Sequence, residues 1–455
     1  MTAIFQPASA MAEPQNLSVE QAQAQLASLL TPLGPICETE MLPLAEALDR
    51  VLAEDLTSPV DVPPHDNAAM DGYALNGAQL QPGQPLVLQV VGRALAGVPW
   101  SGEIGPGQCL KIMTGAVLPA GLDTVVPHEL TQALDEQRIR IPADSLRAGA
   151  NRRLCGEDLG RGNLALPKGQ KLHPAALGLL ASLGLSQVEV RRRLRVAYFS
   201  TGDEILAPGM AAREGAIYDS NSFSLQGLLK RLGVQVLDLG QVPDEPQALE
   251  TRLREAAALA DVVLTSGGIS AGEADHTRAM LQRLGHVQFW RLAMRPGKPL
   301  AAGLLQPGLS SAFAPKSGTS AIDINVGSSE KQSTQTPRPT VLLGLPGNPV
   351  AAMISFALFV RPALLQLMGD TSAPLPLAQA IAAQDFHKRP GRSEYQRGIL
   401  AMGPDGRARV RSTGAQGSAL LSSLVQANCL VVLEPERGQV LAGETVNVLL
   451  LDGAI

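Results

Sequence analysis

Between residues 194 and 368, apolar runs of strand length alternate with amphipathic runs of helical length, and no other feature of the chain narrows its fold so far. Strands are read at 194–199, 234–239, 261–265, 287–292 and 340–345, and helices at 221–232, 246–259, 275–284 and 349–368. Gly233 suits the stop of the first helix, and Pro246 suits the first turn of the second, where its missing N–H costs nothing. Such alternation calls for a parallel-rich sheet flanked by helices. In an open sheet of this kind, ligands bind outside the carboxyl ends of the strands.

The segments at those ends are unusual. Ser200-Thr201-Gly202-Asp203-Glu204 follows the first strand, and Gly240-Gln241-Val242-Pro243-Asp244-Glu245 follows the second. The third leads into T-S-G-G-I-S-A-G-E-A-D, residues 265–275, and the last ends in Leu345-Pro346-Gly347-Asn348-Pro349. Glycine loops that open helices attract anions through backbone N–H groups. Thr201, Gly202, Asp203, Ser266, Gly267, Gly268, Ser270, Gly272, Glu273, Pro346, Gly347 and Pro349 are therefore candidates for holding a phosphorylated ligand. Each acid alone reads as a helix cap or turn residue. Their joint placement on one rim favours a site. Carboxylates beside phosphate-binding amides would repel an anion unless a hard cation lies between them, and Mg²⁺ takes a few carboxylate oxygens, water and phosphates.

The rest of the chain divides by pattern. Residues 1–16 read as a disordered tail, without the basic start of a signal peptide. Residues 18–30 and 43–55 have helical apolar spacing, with Ser18 and Gln21 as a capping pair. Residues 58–149 break into short apolar runs punctuated by Gly and Pro, and Pro174–Leu183 returns to helical spacing. This suggests a discontinuous helical and linker domain, 17–62 with 150–192, carrying an inserted β domain, 63–149. An α/β domain, 193–369, and a C-terminal β domain, 370–455, complete the expected fold. Residues 306–338, rich in Ser, Thr, Pro and Gly, read as a disordered insertion within the α/β domain.

Charge and cysteine content exclude other classes. The net charge is −5 and only 17% of the 455 residues are charged, so a broad nucleic-acid surface is not expected. No uninterrupted apolar run reaches about 20 residues, the length of a membrane helix. The four scattered cysteines form no zinc pattern and fit a reduced cytoplasmic protein. The basic runs Arg295-Pro296-Gly297-Lys298-Pro299 and His387 to Arg392 read by default as solvated faces. An oxyanion ligand is the functional alternative, above all for Lys298.

Taken together, these stretches resemble the molybdopterin molybdenumtransferase family, which includes the E domain of gephyrin. D-N-A-A-M-D-G-Y-A at 66–74, I-M-T-G at 112–115 and G-E-D at 156–158 carry the likeness in the first half. S-T-G-D-E at 200–204, I-Y-D-S-N at 217–221, the 265–275 loop, R-P-G-K-P at 295–299 and G-L-P-G-N-P-V at 344–350 carry it onward. The resemblance implies insertion of molybdenum from molybdate into the dithiolene of adenylylated molybdopterin, with release of AMP and with Mg²⁺. It also implies an elongated homodimer whose sites are shared between subunits, and a C-terminal domain like a β-barrel. By motif, the catalytic positions fall on Asp66, Thr114, Asp158, Glu204, Asp244 and Asp275, with Glu204, Asp244 and Asp275 as metal ligands. Lys298, Arg392, Arg397 and Ser418 become the candidates for molybdate contacts. The molybdopterin adenylyltransferase and downstream molybdoenzyme maturation factors are the further partners suggested. Ala68 stands where the family often has Ser, so a hydroxyl there is not essential in this chain. The competing readings are a molybdopterin adenylyltransferase and a gephyrin-like scaffold without catalysis.

Overall fold

The computed structural model describes residues 15–268, 280–306, 338–372 and 374–451. These fall into two compact units, one drawn from 1–39 and 191–455 and the other from 40–190.

The first unit is built on seven strands: β1 (Gln15–Leu17), β2 (Arg195–Thr201), β3 (Gln235–Val242), β4 (Val262–Ser266), β5 (Gly285–Leu292), β6 (Pro299–Leu305) and β7 (Thr340–Leu345). Their order is β1-β5-β6-β7-β4-β2-β3. Strands β3, β2, β4 and β7 are parallel neighbours, with Val196 opposite both Val236 and Val262, and Val263 opposite Leu342. The chain leaves β2 toward one edge for β3 and then returns to its other side for β4. That reversal opens a crevice at the carboxyl ends.

Two elements depart from the sequence reading. The sequence pattern gives no strand at the position of β6, where the turn formers of R-P-G-K-P run directly into the short apolar run L-A-A-G-L-L. The few residues between β5 and β6 allow only a hairpin, so β6 pairs antiparallel with both β5 and β7. Residues 1–14 of the expected tail lie outside those described, and Gln15–Leu17 pairs in parallel with Trp290 to Leu292.

Residues 307–337, most of the expected insertion, lie outside those described. Its flanks are informative: Leu305 faces Thr340 in antiparallel register. The segment therefore closes a hairpin, and its ends already lie side by side. Replacing 309–336 with a short Gly/Ser link is expected to leave a folded protein with near-native turnover, because loop-closure entropy varies slowly with length. Circular dichroism with a turnover assay checks this; a folded but inactive deletion would place the segment in the site.

Helices α1 (Val19–Leu30), α2 (Ser220–Leu232), α3 (Pro246–Leu259) and α4 (Pro349–Met368) belong to this unit. Ser18 and Gln21 form the expected capping box on α1. Asp219 caps α2, and Gly233 ends it with φ 82°. The long helix α4 contains a π turn at Phe356–Val360, just before Pro362. Proline lacks an N–H and crowds the carbonyl four residues back, and a widened turn relieves both problems. The carbonyl concerned, Leu358, accepts a bond from Gln23 Nε2 of α1 at 2.9 Å. Residues 17–30, grouped from the sequence with 150–192, thus pack within the first unit, through Val19, Ala22, Leu26 and Leu30. Helix α4 is long and apolar enough to cross a membrane, but most of it is buried against the sheet and helices of this unit.

Five further strands, β8 (Leu377–Ala382), β9 (Ser393–Met402), β10 (Ala408–Ser412), β11 (Cys429–Leu433) and β12 (Thr445–Leu450), close on themselves. The ring runs β9-β10-β8-β12-β11 and returns to β9, so it has no free edge. Phe386, Val410, Val431 and Val448 fill its interior.

The second unit holds a six-stranded sheet. Thr124–Pro127, Gly72–Leu75, Gln108–Ile112, Leu86–Ala94, Arg138–Ile141 and Gln132–Ala133 lie in that order. The helix expected at 43–55 is absent: only Leu44–Glu46 forms a single tight turn, and Asp49 takes a left-handed φ of 61°. The apolar spacing there has another cause. Ala47 and Leu52 bury into a cluster with Leu172, Leu180 and Val190, and irregular chain can do that as well as a helix.

Candidate active site

A cavity of about 960 Å³ opens at the carboxyl ends of β2, β3, β4 and β7. Each strand delivers one loop to it. Thr201 ends β2 and Glu204 follows it, Asp244 follows β3, Ser266 ends β4 with Gly267 and Gly268 after it, and Pro346, Gly347 and Pro349 follow β7. The first turns of α2, α3 and α4 line it as well, so three positive helix ends border one space.

The glycines here are required by contact. A Cβ on Gly267 (φ 85°) would lie 2.5 Å from the Thr201 carbonyl oxygen, and one on Gly268 (φ 65°) 2.5 Å from Thr201 Oγ1. The loop after β4 therefore presses on the end of β2 as only glycine can. Gly267 N donates to the Leu345 carbonyl at 3.1 Å, tying the same loop to β7. Thr201 is 3% exposed, and its Oγ1 is buried with no hydrogen-bond partner among the described residues. Orphaned buried hydroxyls are rare outside ligand sites and strained positions.

The carboxylates sit close to these loops. A Cβ on Gly202 would lie 2.5 Å from Glu204 Oε2, so the Glu204 side chain folds back over the glycine turn. Asp203 Oδ1 accepts from Asp244 N at 3.3 Å, and Gln241 Nε2 donates to the carbonyls of Gly202 and Ile205 at 2.8 and 3.0 Å. The loops after β2 and β3 are thereby locked together. Ser270, Gly272, Glu273 and Asp275 lie outside the described residues. Among the described residues no group of three or more His, Cys, Asp or Glu forms a metal cluster. Glu204 and Asp244 share the cavity, however, and two carboxylates beside glycine loops and helix amino termini are a donor set that suits Mg²⁺.

The proposed oxyanion contacts divide. Lys298 is exposed, next in the chain to Pro299 of the cavity wall. The Ser418 carbonyl accepts from Val350 N at 3.1 Å, which brings the 413–418 segment to the start of α4, and Ala419 lines the cavity. Arg397 is 1% exposed. Its Nε donates to Ser423 Oγ at 2.9 Å, and its terminal nitrogens donate to the carbonyls of Ala415, Gln416 and Gly417 at 3.3, 3.3 and 2.9 Å. Burial, with the Arg295 charge nearby, pushes its guanidinium down to about 10. Arg397 also borders a second cavity of about 230 Å³ with Arg295, Gln396 and the buried Glu394. Arg392 is exposed, its Nε 4.0 Å from Glu394 Oε1.

The first-half motifs converge within the second unit. Asn67–Ala68 pairs with Arg152–Arg153, and Gly115 N donates to the Ala68 carbonyl at 2.8 Å. Asp66 Oδ1 accepts from Cys155 N at 2.7 Å, and Oδ2 pairs with Arg152. The Cys155 N–H, helped by Arg152, holds the Asp66 carboxyl below the usual carboxylate range. Thr114 donates from N and Oγ1 to Asp71 Oδ1, each at 2.7 Å, and Asp71 is lowered for that reason. Asp158 is exposed, with its N donating to the Val62 carbonyl at 3.0 Å.

Some lining residues were given no role from the sequence. Ile205, Ile217, Tyr218 and Leu249 form an apolar wall, and Asp219 and Asn221 stand at the start of α2. The I-Y-D-S-N motif was visible, but nothing in it told which loops its side chains would reach.

Comparison with known proteins matches the chain in three consecutive stretches. Residues 17–184 match the MoeA N-terminal region (domain I and II), 197–366 a probable molybdopterin binding domain, and 379–451 the MoeA C-terminal region (domain IV). A molybdopterin molybdenumtransferase of Haemophilus influenzae is 39% identical over 433 residues, covering 95% of this chain and 98% of that protein. The chain belongs to the molybdopterin molybdenumtransferase family. A Nostoc relative of the same name is 34% identical over 420 residues, covering 91% of this chain and 89% of its own length. The crystal structure of the molybdopterin biosynthesis moeA protein from Pyrococcus horikoshii OT3 superposes with a TM-score of 0.73. It is 26% identical and covers 96% of this chain and 100% of its own. The family thus has the same architecture, with the glycine-loop rim in the probable molybdopterin binding domain.

Proposed function

We propose that this chain transfers molybdenum from molybdate to the dithiolene of adenylylated molybdopterin, releasing AMP. The observation that carries this reading is the rim cavity, where close-packed glycine loops, three helix amino termini and the carboxylates of Glu204 and Asp244 line one space. The loops after β2, β4 and β7 hold the phosphates of the pterin nucleotide. Ile205, Ile217 and Tyr218 offer an apolar wall to a ring. Glu204 and Asp244, with Asp275, hold Mg²⁺, which when bound supplies a Lewis acid for the pyrophosphate bridge. Lys298, Arg392, Arg397 and Ser418 serve the oxyanion, with Arg397 acting through the turn it holds. Asp66, Thr114 and Asp158 complete the catalytic set. The protein acts in the cytoplasm as a homodimer with sites shared between subunits.

The direct test is AMP release from adenylylated molybdopterin with and without molybdate. Molybdate-stimulated release is expected; its absence would overturn the reading, and adenylylated molybdopterin with pyrophosphate formed instead from molybdopterin and ATP would point to the adenylyltransferase. The shared-site dimer has its own test. Mixing inactive Asp66→Ala and Glu204→Ala subunits should restore activity to roughly a quarter of wild type after random exchange of a two-fold dimer. Tagged mixed dimers without activity would refute it.

A further inference from the structure

In the I-Y-D-S-N motif at 217–221, the side chains of Asp219 and Asn221 have no role in the function proposed above, yet they make two long-range bonds at the cavity. Asp219 Oδ2 accepts from Ser200 Oγ at 2.6 Å, and Asp219 Oδ1 caps α2 by accepting from Ser222 N at 2.9 Å. Two residues on, Asn221 Nδ2 donates to the Gly347 carbonyl at 2.7 Å, across 126 positions of sequence. Ser200 directly precedes Thr201 and Gly202 of one loop; Gly347 is the centre of the other. A Cβ on Gly347 would sit 3.8 Å from Gly267 Cα, so the P-G-N-P loop also lies against the third.

We propose that Asp219 and Asn221 are positioning residues: from the first turn of α2 they set the spacing between the S-T-G-D-E and P-G-N-P loops, and so the fit of the substrate's phosphate groups. Three observations argue for this beyond ordinary packing. Both bonds run from one rigid element to two separate places, the end of β2 that leads into one loop and the centre of the other, as a brace requires. Asn221 is 8% exposed, and among the described residues its amide donates to Gly347 while its Oδ1 has no partner. The capping bond fixes Asp219, leaving its second oxygen for Ser200. A site held to within a fraction of an ångström needs such supports behind its contacts.

The inference rests on the proposed substrate, so the test has two arms. In the kinetic arm, Asn221→Leu keeps volume but cannot donate, and Asp219→Ala removes both bonds. Each is expected to raise KM for adenylylated molybdopterin about tenfold, the worth of one well-placed hydrogen bond, with kcat changed less than about threefold. Asp219→Asn should behave like wild type, since the amide caps with Oδ1 and gives Nδ2 to Ser200 Oγ. In the second arm, hydrogen exchange is followed without substrate. Asn221→Leu should speed exchange in 345–350, and Asp219→Ala in 201–206. Ser200→Ala, a milder change, should reproduce the latter if Asp219→Ala does not fold. Unchanged exchange, or unchanged KM in folded variants, overturns the brace. Altered exchange in a protein whose wild type shows no molybdate-stimulated AMP release would overturn the substrate reading and leave the brace standing.

Discussion

Glu204→Gln is expected to lower molybdate-dependent AMP release at least about a hundredfold, on the scale of losing one strong electrostatic contact in an active site. The side chain is exposed, so its removal should change stability by no more than about 0.5 kcal/mol. It folds back over Gly202, next to Thr201, whose hydroxyl has no partner among the described residues. Glutamine keeps the shape and removes the charge that, on the proposed reading, offsets a cation beside phosphate. Raising Mg²⁺ should recover part of the loss, because a weakened metal site fills at higher concentration. Turnover at graded Mg²⁺, with thermal melting alongside, measures both. Normal turnover of the glutamine variant at ordinary Mg²⁺ would reduce Glu204 to a turn residue.

Arg397→Met is expected to act differently, costing about 3–5 kcal/mol of stability in the transition that unfolds the barrel. The guanidinium is buried and donates to three consecutive carbonyls and to Ser423 Oγ. Methionine fills much of the space but leaves those acceptors without donors. The turn they form precedes Ser418, whose carbonyl receives Val350 N, so activity should fall with the structure. Arg392→Met is the contrast. Its side chain is exposed, so stability should hold within about 0.5 kcal/mol while KM for molybdate rises. Denaturant unfolding and molybdate titration separate the two arginines. A stable Arg397→Met protein with weakened molybdate binding would return Arg397 to direct contact.

Much of this protein could be read locally. Helix Pro246–Leu259 and strand Thr340–Leu345 have the bounds that proline, glycine and apolar runs imply. The rim loops were legible for the same reason: each is a turn whose glycines and acids follow directly on a strand. Where apolar spacing has two causes, the reading fails. Leu44 to Leu52 bury side chains without forming a helix, and Leu300 to Leu305 form a strand that the neighbouring turn residues hid.

What the sequence determined alone is the alternation of elements, and with it the edge of the sheet at which a ligand can bind, because periodicity and turn chemistry are properties of neighbouring residues. The tertiary structure decided which distant groups meet. Gln23 satisfies the Leu358 carbonyl crowded by Pro362, Asn221 holds Gly347, and Arg397 disappears into the barrel to hold a turn. Each of these partners is a backbone carbonyl, which carries no signature of residue type. No pattern in the chain could therefore announce them, and only folding brings donor and acceptor within reach.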